Sequence, residues 1–333
     1  MKKATWAALA VVILMAAPGQ AQQTYNLTLS GASPGGLWSS VGTGMAAAIA
    51  KQYPGSTVTY QTSSGGLANV PMVAQGKVPM GIAADGELAM AVNGTEPFTS
   101  PVKGVKTLVR VYGADSRFQM THIVVSKAFA DKHGIKTFAD IVAKKAPLRV
   151  AINRRGNYDG EVSELLMDGM GASIKAIESW GGQVVRAASK EQASLYQDRR
   201  IDMLNFGLAF NHPSLQEATQ GVPSILLTVP KEVVEKAIAK LGGEVCQVKQ
   251  GEYAWSPDPA TTYCGGAVIV VADTMDTTLA YNIVKAMVEQ IGEFGDKSHR
   301  SLKENVTAKT LAIKSVAPFH PGAEKLFKEK GLM

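Results

Sequence analysis

Tyr25-Asn26-Leu27-Thr28-Leu29-Ser30-Gly31-Ala32-Ser33-Pro34-Gly35-Gly36-Leu37-Trp38 is the stretch that decides the fold. Tyr25, Leu27 and Leu29 alternate with Asn26, Thr28 and Ser30, the period of a strand with one buried face. A turn over 31–36 follows, and then Leu37, Val41, Met45 and Ala48 recur every three or four residues. That spacing predicts a helix buried along one stripe, and Pro54-Gly55 stops it. The unit then returns twice. A strand at 57–62 leads through Ser63-Ser64-Gly65-Gly66 into a helix carrying Leu67, Val70 and Val73, and a strand at 80–84 ends at Asp85. Strand, polar or glycine-rich turn, helix, repeated in this way, predicts an α/β fold whose parallel-rich sheets carry helices on both faces.

Outward from this stretch the pattern continues. Strands are predicted at 108–112, 122–125, 148–152, 184–187, 203–206 and 225–229, and an apolar run at 267–271 precedes helices at 277–292 and 323–330. Two sets of such units predict two α/β lobes joined by two crossing strands, at 122–125 and 267–271. Lobe I then takes residues 22–120 plus 270–333 and lobe II takes 121–269. A chain of 333 residues is long enough for both.

The first 21 residues predict export. Lys2 and Lys3 precede an apolar run from Trp6 to Ala17, and Gly19-Gln20-Ala21 supplies small residues for cleavage. The run is well short of the roughly 20 residues a spanning helix needs. A signal peptide over 1–21 and a periplasmic mature protein are expected. Without the two leader lysines the net charge of +6 falls to +4, with no dense basic cluster, which excludes nucleic acid as a partner and leaves a mild bias toward anions. The two cysteines, Cys246 and Cys264, are expected to form one bridge in an oxidising compartment.

In an open α/β sheet, ligands sit beyond the carboxyl ends of the strands, where helix N-termini present free N–H groups and partial positive charge. Three turns occupy that position. Ser33, Gly35, Gly36, Leu37 and Trp38 form the first; Ser63, Ser64, Gly65 and Asn69 the second; Arg154, Arg155, Gly156, Asn157 and Tyr158 the third. Their backbone amides would take an anionic end, with Arg154 or Arg155 gripping a carboxylate and the hydroxyl and amide side chains adding neutral hydrogen bonds. Trp38 either covers the ligand or packs on the turn. Asp85 either accepts a ligand amine or hydroxyl or caps the helix that begins there.

The chemistry of an enzyme is missing. Gly31-Ala32-Ser33-Pro34-Gly35 has the spacing of a nucleophile elbow, but the residue after the serine must lend an N–H to the oxyanion hole, and Pro34 has none. No phosphate-binding loop or dinucleotide fingerprint is present, and the five histidines show no metal spacing. No cofactor and no metal are expected.

These residues resemble the TAXI-type solute receptors of tripartite ATP-independent periplasmic (TRAP) transporters. The resemblance runs through 31–42, 62–69, 76–85 and 134–140, and is most specific in His320-Pro321-Gly322-Ala323 followed by Glu329-Lys330-Gly331. Gly66 stands where a serine is common and Pro79 where an aspartate is usual, the turn at 154–157 is more basic than the family's, and the stretch from Cys246 to Cys264 matches poorly. The resemblance implies a type II periplasmic-binding-protein fold that closes on a small organic anion, glutamate- or dicarboxylate-like. It also implies docking to membrane permease subunits; apart from the resemblance, a monomer is expected. A receptor for an ABC importer or a sensor kinase would use the same fold, as would a secreted hydrolase.

Overall fold

The computed structural model describes residues 23–333, so the expected signal peptide lies outside the described residues. Along the chain the elements are β1 (Asn26–Ser30), α1 (Leu37–Gln52), β2 (Thr57–Gln61), α2 (Gly66–Ala74), β3 (Met80–Ala84), α3 (Asp85–Asn93), β4 (Val105–Tyr112) and β5 (Gln119–Ser126). Then come α4 (Lys127–His133), α5 (Phe138–Ala143), β6 (Arg149–Ile152), α6 (Tyr158–Gly169), α7 (Ile174–Ser179), β7 (Gln183–Arg186), α8 (Ser189–Gln197) and β8 (Met203–Leu208). The second lobe continues with α9 (Pro213–Thr219), β9 (Ser224–Leu226), α10 (Lys231–Leu241), β10 (Glu244–Val248) and β11 (Ala260–Gly265). The remainder is β12 (Ala267–Ala272), α11 (Thr277–Glu289), α12 (Ile291–Lys297), α13 (Arg300–Asn305), α14 (Ala308–Leu311) and α15 (Pro321–Glu329).

Two sheets result. The first has the order β2-β1-β3-β12-β4, and the second β10-β11-β5-β8-β6-β7 with β9 beside β5. The α/β class holds, but the sheets are mixed rather than parallel-rich. β1 pairs parallel with β2 and β3, and β6 with β7 and β8, while β12 runs antiparallel between β3 and β4. In the second sheet β5 is antiparallel to β8, β9 and β11, and β11 to β10. The parallel strands are the ones that feed helices toward the gap between the lobes.

The changeovers between sheets differ from the expected crossing strands. The chain leaves the first sheet after Tyr112, makes a short 3-10 turn at Ala114–Ser116, and enters the second at Gln119; it returns through Gly266 alone. The strands at 122–125 and 267–271 therefore each lie within one sheet. At Gly266 the first lobe is so close that a methyl group would stand 2.6 Å from Asp85 Oδ2 and 3.0 Å from Arg110 Nη1.

The apolar continuity of β3 and β12 has a simple cause: both faces of the first sheet are covered. Met80, Ile82, Ile269 and Val271 point into the main core under α1 and α11, while Ala83, Val268 and Val270 meet Val70, Val73 and Leu88 of α2 and α3. The expected bridge is present, tying Cys246 on β10 to Cys264 on β11 with a Cα–Cα distance of 5.6 Å. Closing this loop stabilises the hairpin by about 3 kcal/mol on the chain-entropy account. Among the described residues no helix is long and apolar enough to cross a membrane.

Candidate ligand-binding cleft

Three helices begin where parallel strands end and point their N-termini at the gap between the lobes. β1 leads to α1; β6 and β7 lead to α6 and α8. Gly35 takes φ +67° in the first turn and Gly156 φ +74° in the third, a left-handed conformation that glycine enters without strain. The cap chemistry separates the three. Asn157 caps α6 by accepting the Asp159 N–H at 3.1 Å. α1 starts after Gly36 and α8 after Ala188, and neither has a side-chain cap. Their first N–H groups are therefore free to bind something else.

These two uncapped ends meet across the interlobe seam. A methyl group on Gly36 would lie 3.7 Å from Ser189 Oγ, and one on Gly35 would lie 3.5 Å from Lys190 Cβ. Ser33 Oγ donates to Asn153 Oδ1 at 3.1 Å, joining the lobes, and Asn153 Nδ2 donates to Ser189 Oγ at 3.3 Å. Each helix end carries roughly half a positive charge, so closure brings two like partial charges together. Between them is a cavity of about 20 Å³, walled by Ala32, Ser33, Gly36, Leu37 and Trp38 from the first lobe. Gln119, Asn153, Asn157, Tyr158, Asp159 and Ser189 wall it from the second. That volume fits about one water-sized group.

A directed chain of hydrogen bonds runs along one wall. Trp38 Nε1 donates to the Tyr112 hydroxyl at 2.8 Å, Tyr112 donates to Gln119 Oε1 at 2.9 Å, and Gln119 Nε2 donates to Asp159 Oδ1 at 2.9 Å. Tyr112 and Gln119 flank the first changeover, so the chain crosses from lobe to lobe beside it. Burial pushes the Asp159 carboxyl up to about 7, against the pull of the Gln119 N–H.

The second turn behaves differently. Asn69 is fully buried: its Oδ1 accepts from Ser30 and Ser63, and its Nδ2 donates to the carbonyls of Ser30, Gly31 and Ile82. Glu87, also fully buried, accepts the Ala84 N–H at 2.9 Å and the Leu67 N–H at 3.3 Å, so the first turn of α2 is satisfied from within its own lobe. Desolvation pushes Glu87 up to about 8, with the Asp159 charge adding and the bound amides opposing. What the second turn does touch is the third: a methyl on Gly65 would lie 3.1 Å from the Gly156 carbonyl, and one on Gly156 would lie 3.7 Å from Ser64 Cβ.

The three turns read from sequence thus come together at one seam, though not all of their side chains face the cavity. Asp85 is held by Arg110 in a two-pronged pair at 2.7 and 2.8 Å. Arg154 is exposed, 3.9 Å from Glu191, and Arg155 lines an open groove outside the cavity. The Tyr158 hydroxyl is spent on Tyr263 and on the Leu241 carbonyl. Trp38 forms cavity wall. Gln119, Asn153, Asp159 and Ser189 were not singled out by the sequence. Asp159 directly follows Tyr158 and has the look of an ordinary first-turn acid, and the turn before α8, Ala187-Ala188, carries no glycine to mark it.

Comparison with known proteins agrees with this architecture. The periplasmic binding protein BugD superposes with a TM-score of 0.56 at 13% identity, over 94% of this chain and 99% of that one. MatC from Rhodopseudomonas palustris, with bound malate, gives 0.54 at 11% identity over 84% and 89%. PhnD1 from Prochlorococcus marinus, in complex with methylphosphonate, gives 0.51 at 11% identity over 92% and 99%. No curated protein matches the chain in sequence. The fold is that of periplasmic solute-binding proteins, two mixed α/β lobes around a cleft. Since the family model spans residues 29–331, both lobes and the helices that wall the cleft are included, and the chain belongs to the NMT1-like family.

Proposed function

We propose that this protein is a periplasmic receptor that captures a small organic anion, glutamate- or dicarboxylate-like, between its lobes. It delivers the anion to the membrane permease of a TAXI-type TRAP transporter and performs no chemistry on it. The observation that carries the reading is the meeting of the uncapped N-termini of α1 and α8 at the seam. A buried helix end stabilises an anion by up to about 2 kcal/mol, so an anion held by one end in the open form gains up to about 2 kcal/mol from the second on closure, near thirtyfold in the closed-to-open ratio. Only such differential binding lets a permease tell a loaded receptor from an empty one. The malate in MatC illustrates that the fold accepts an anion of this kind. A hydrolase reading finds no support at Ser33: its hydroxyl meets the Asn153 amide, which cannot take up a proton, and the next residue is Pro34.

The test is a thermal-shift screen of the mature protein against dicarboxylates, keto acids and amino acids. A true ligand at a hundred times its Kd adds about 2.7 kcal/mol to the unfolding free energy. A panel in which nothing stabilises the protein, and a purified protein with no co-purifying anion by mass spectrometry, would overturn the proposal.

A further inference from the structure

We infer that Asp159 is the specificity-determining residue of the cleft: its carboxylate accepts a hydrogen-bond donor, hydroxyl or protonated amine, carried by the same small anion whose acidic end sits between α1 and α8. The inference rests on the receptor reading above and names what the ligand must offer besides negative charge.

Asp159 lines the cavity, and among the described residues Gln119 Nε2 is the one hydrogen-bond partner of its carboxylate. The direction of that bond is not free. The Trp38 indole can only donate, so the Tyr112 hydroxyl passes its proton on to Gln119 Oε1, and Gln119 is left to point its NH₂ at Asp159. Asp159 is thereby held as an acceptor, one oxygen engaged and the other without a donor. It is pressed against β8, where a methyl group on Gly207 would lie 2.1 Å from Oδ1, so the side chain cannot swing away from the cavity on that side.

Among the described residues no cation pairs with this charge. Arg110 is committed to Asp85 and Arg117 to Glu252, while the groups whose charge Asp159 feels or perturbs are Glu87, Tyr112 and Tyr263. Asp159 is part-buried, and its second oxygen is an acceptor with spare capacity and no counter-charge; covering it on closure is costly, and a donor on the ligand offsets that cost. Asp85, the acid singled out by sequence for this role, is already paired.

The test uses matched acids: succinate, malate and aspartate, then glutarate, 2-hydroxyglutarate and glutamate, titrated calorimetrically into the wild type and Asp159→Asn. In the chain length that binds, a donor-bearing member is expected to bind the wild type about tenfold or more tighter than the bare diacid. In Asp159→Asn that ratio collapses to within about threefold, because the donor-bearing members lose their acceptor while the bare diacid, relieved of a facing carboxylate, binds no more weakly than before. A wild type that binds the bare diacid as tightly as its hydroxyl and amino counterparts would overturn the inference and leave the receptor reading standing; that arm needs no variant. A variant that weakens every member equally, the mark of a merely structural role, would also overturn it. If none of the six acids binds the wild type, the receptor reading for such anions falls, and this inference with it.

Discussion

Ser33-Pro34-Gly35-Gly36 and Ser63-Ser64-Gly65-Gly66 are nearly the same turn in sequence, and both leave a strand of the first sheet to start a helix. Both place the third residue at positive φ, +67° at Gly35 and +117° at Gly65. Their fates differ. The first opens α1 with no cap and presents it to the cavity; the second opens α2 onto Glu87, which holds the Leu67 N–H, while Asn69 locks the turn to β1 and β3. A glycine turn after a strand thus marks where a helix begins. Whether its amides are free for a solute is decided by a group elsewhere, here an acid twenty residues downstream of Leu67.

The largest effect that would sharpen this contrast is in the second turn. Glu87→Ala strips buried partners from the Ala84 and Leu67 amides. At about 1–3 kcal/mol for each unsatisfied group, roughly 4 kcal/mol of stability is lost in urea unfolding. Asn69→Ala, which removes five hydrogen bonds, four of them to buried groups, is expected to cost about 3 kcal/mol. The counterpart in the first turn, Ser33→Ala, costs less than about 1 kcal/mol because its one bond crosses the seam. Equal losses in the two turns would dissolve the distinction.

A pH series probes the same asymmetry. Glu87 is raised from 4.5 to about 8 and Asp159 from 3.8 to about 7, so the folded protein holds protons that the unfolded chain has released. Their contribution is complete below the unfolded values and is lost as pH rises through the folded ones. His122 and His212, lowered by burial to about 3 and about 4, act in the opposite sense, but only below their ordinary value of 6.5. Between pH 6.5 and 8 the acids therefore dominate, and stability should fall by about 1 kcal/mol per pH unit. Thermal unfolding of Glu87→Gln across that interval should show a flatter slope; an unchanged slope would mean Glu87 is not the group that titrates.

Much of the scaffold was legible and much of the cleft was not, for physical reasons. Local spacing located β1, α1, α2 and β3 because each buries one face or both against its own neighbours. Strand direction is not written there. β5 and β12 look like any apolar strand, and their antiparallel pairing depends on partners far along the chain. β10 and β11 escape a reading by periodicity, since neither alternates cleanly and Pro257 and Pro259 fall between them. The cavity residues that escaped notice are set by distant contacts: Ser189 by the packing of α8 across from Gly36, Gln119 by the relay from Trp38. Asp85 and Arg110 show the converse, a conspicuous acid whose partner comes from another strand.

The smallest expected change in stability separates the two turns most cleanly. Gly36 has φ −85°, an ordinary value for any residue, and the nearest atoms to a methyl there would be the Ser33 carbonyl at 3.3 Å, Ser189 Oγ at 3.7 Å and Ser33 Cβ at 3.9 Å. Gly36→Ala should therefore fold with a change of less than about 1 kcal/mol. The methyl stands between the two uncapped helix ends, so calorimetry should show anion affinity reduced by about tenfold, as a displaced anion loses part of two helix-end interactions. At the matching position of the second turn, a methyl on Gly66 would lie 2.0 Å from Glu87 Oε2 and 2.9 Å from Ala83 Cα, against backbone that cannot retreat. Gly66→Ala should lose stability before any question of binding arises. Were Gly36→Ala to bind as the wild type does, the ends of α1 and α8 would not be where the anion sits.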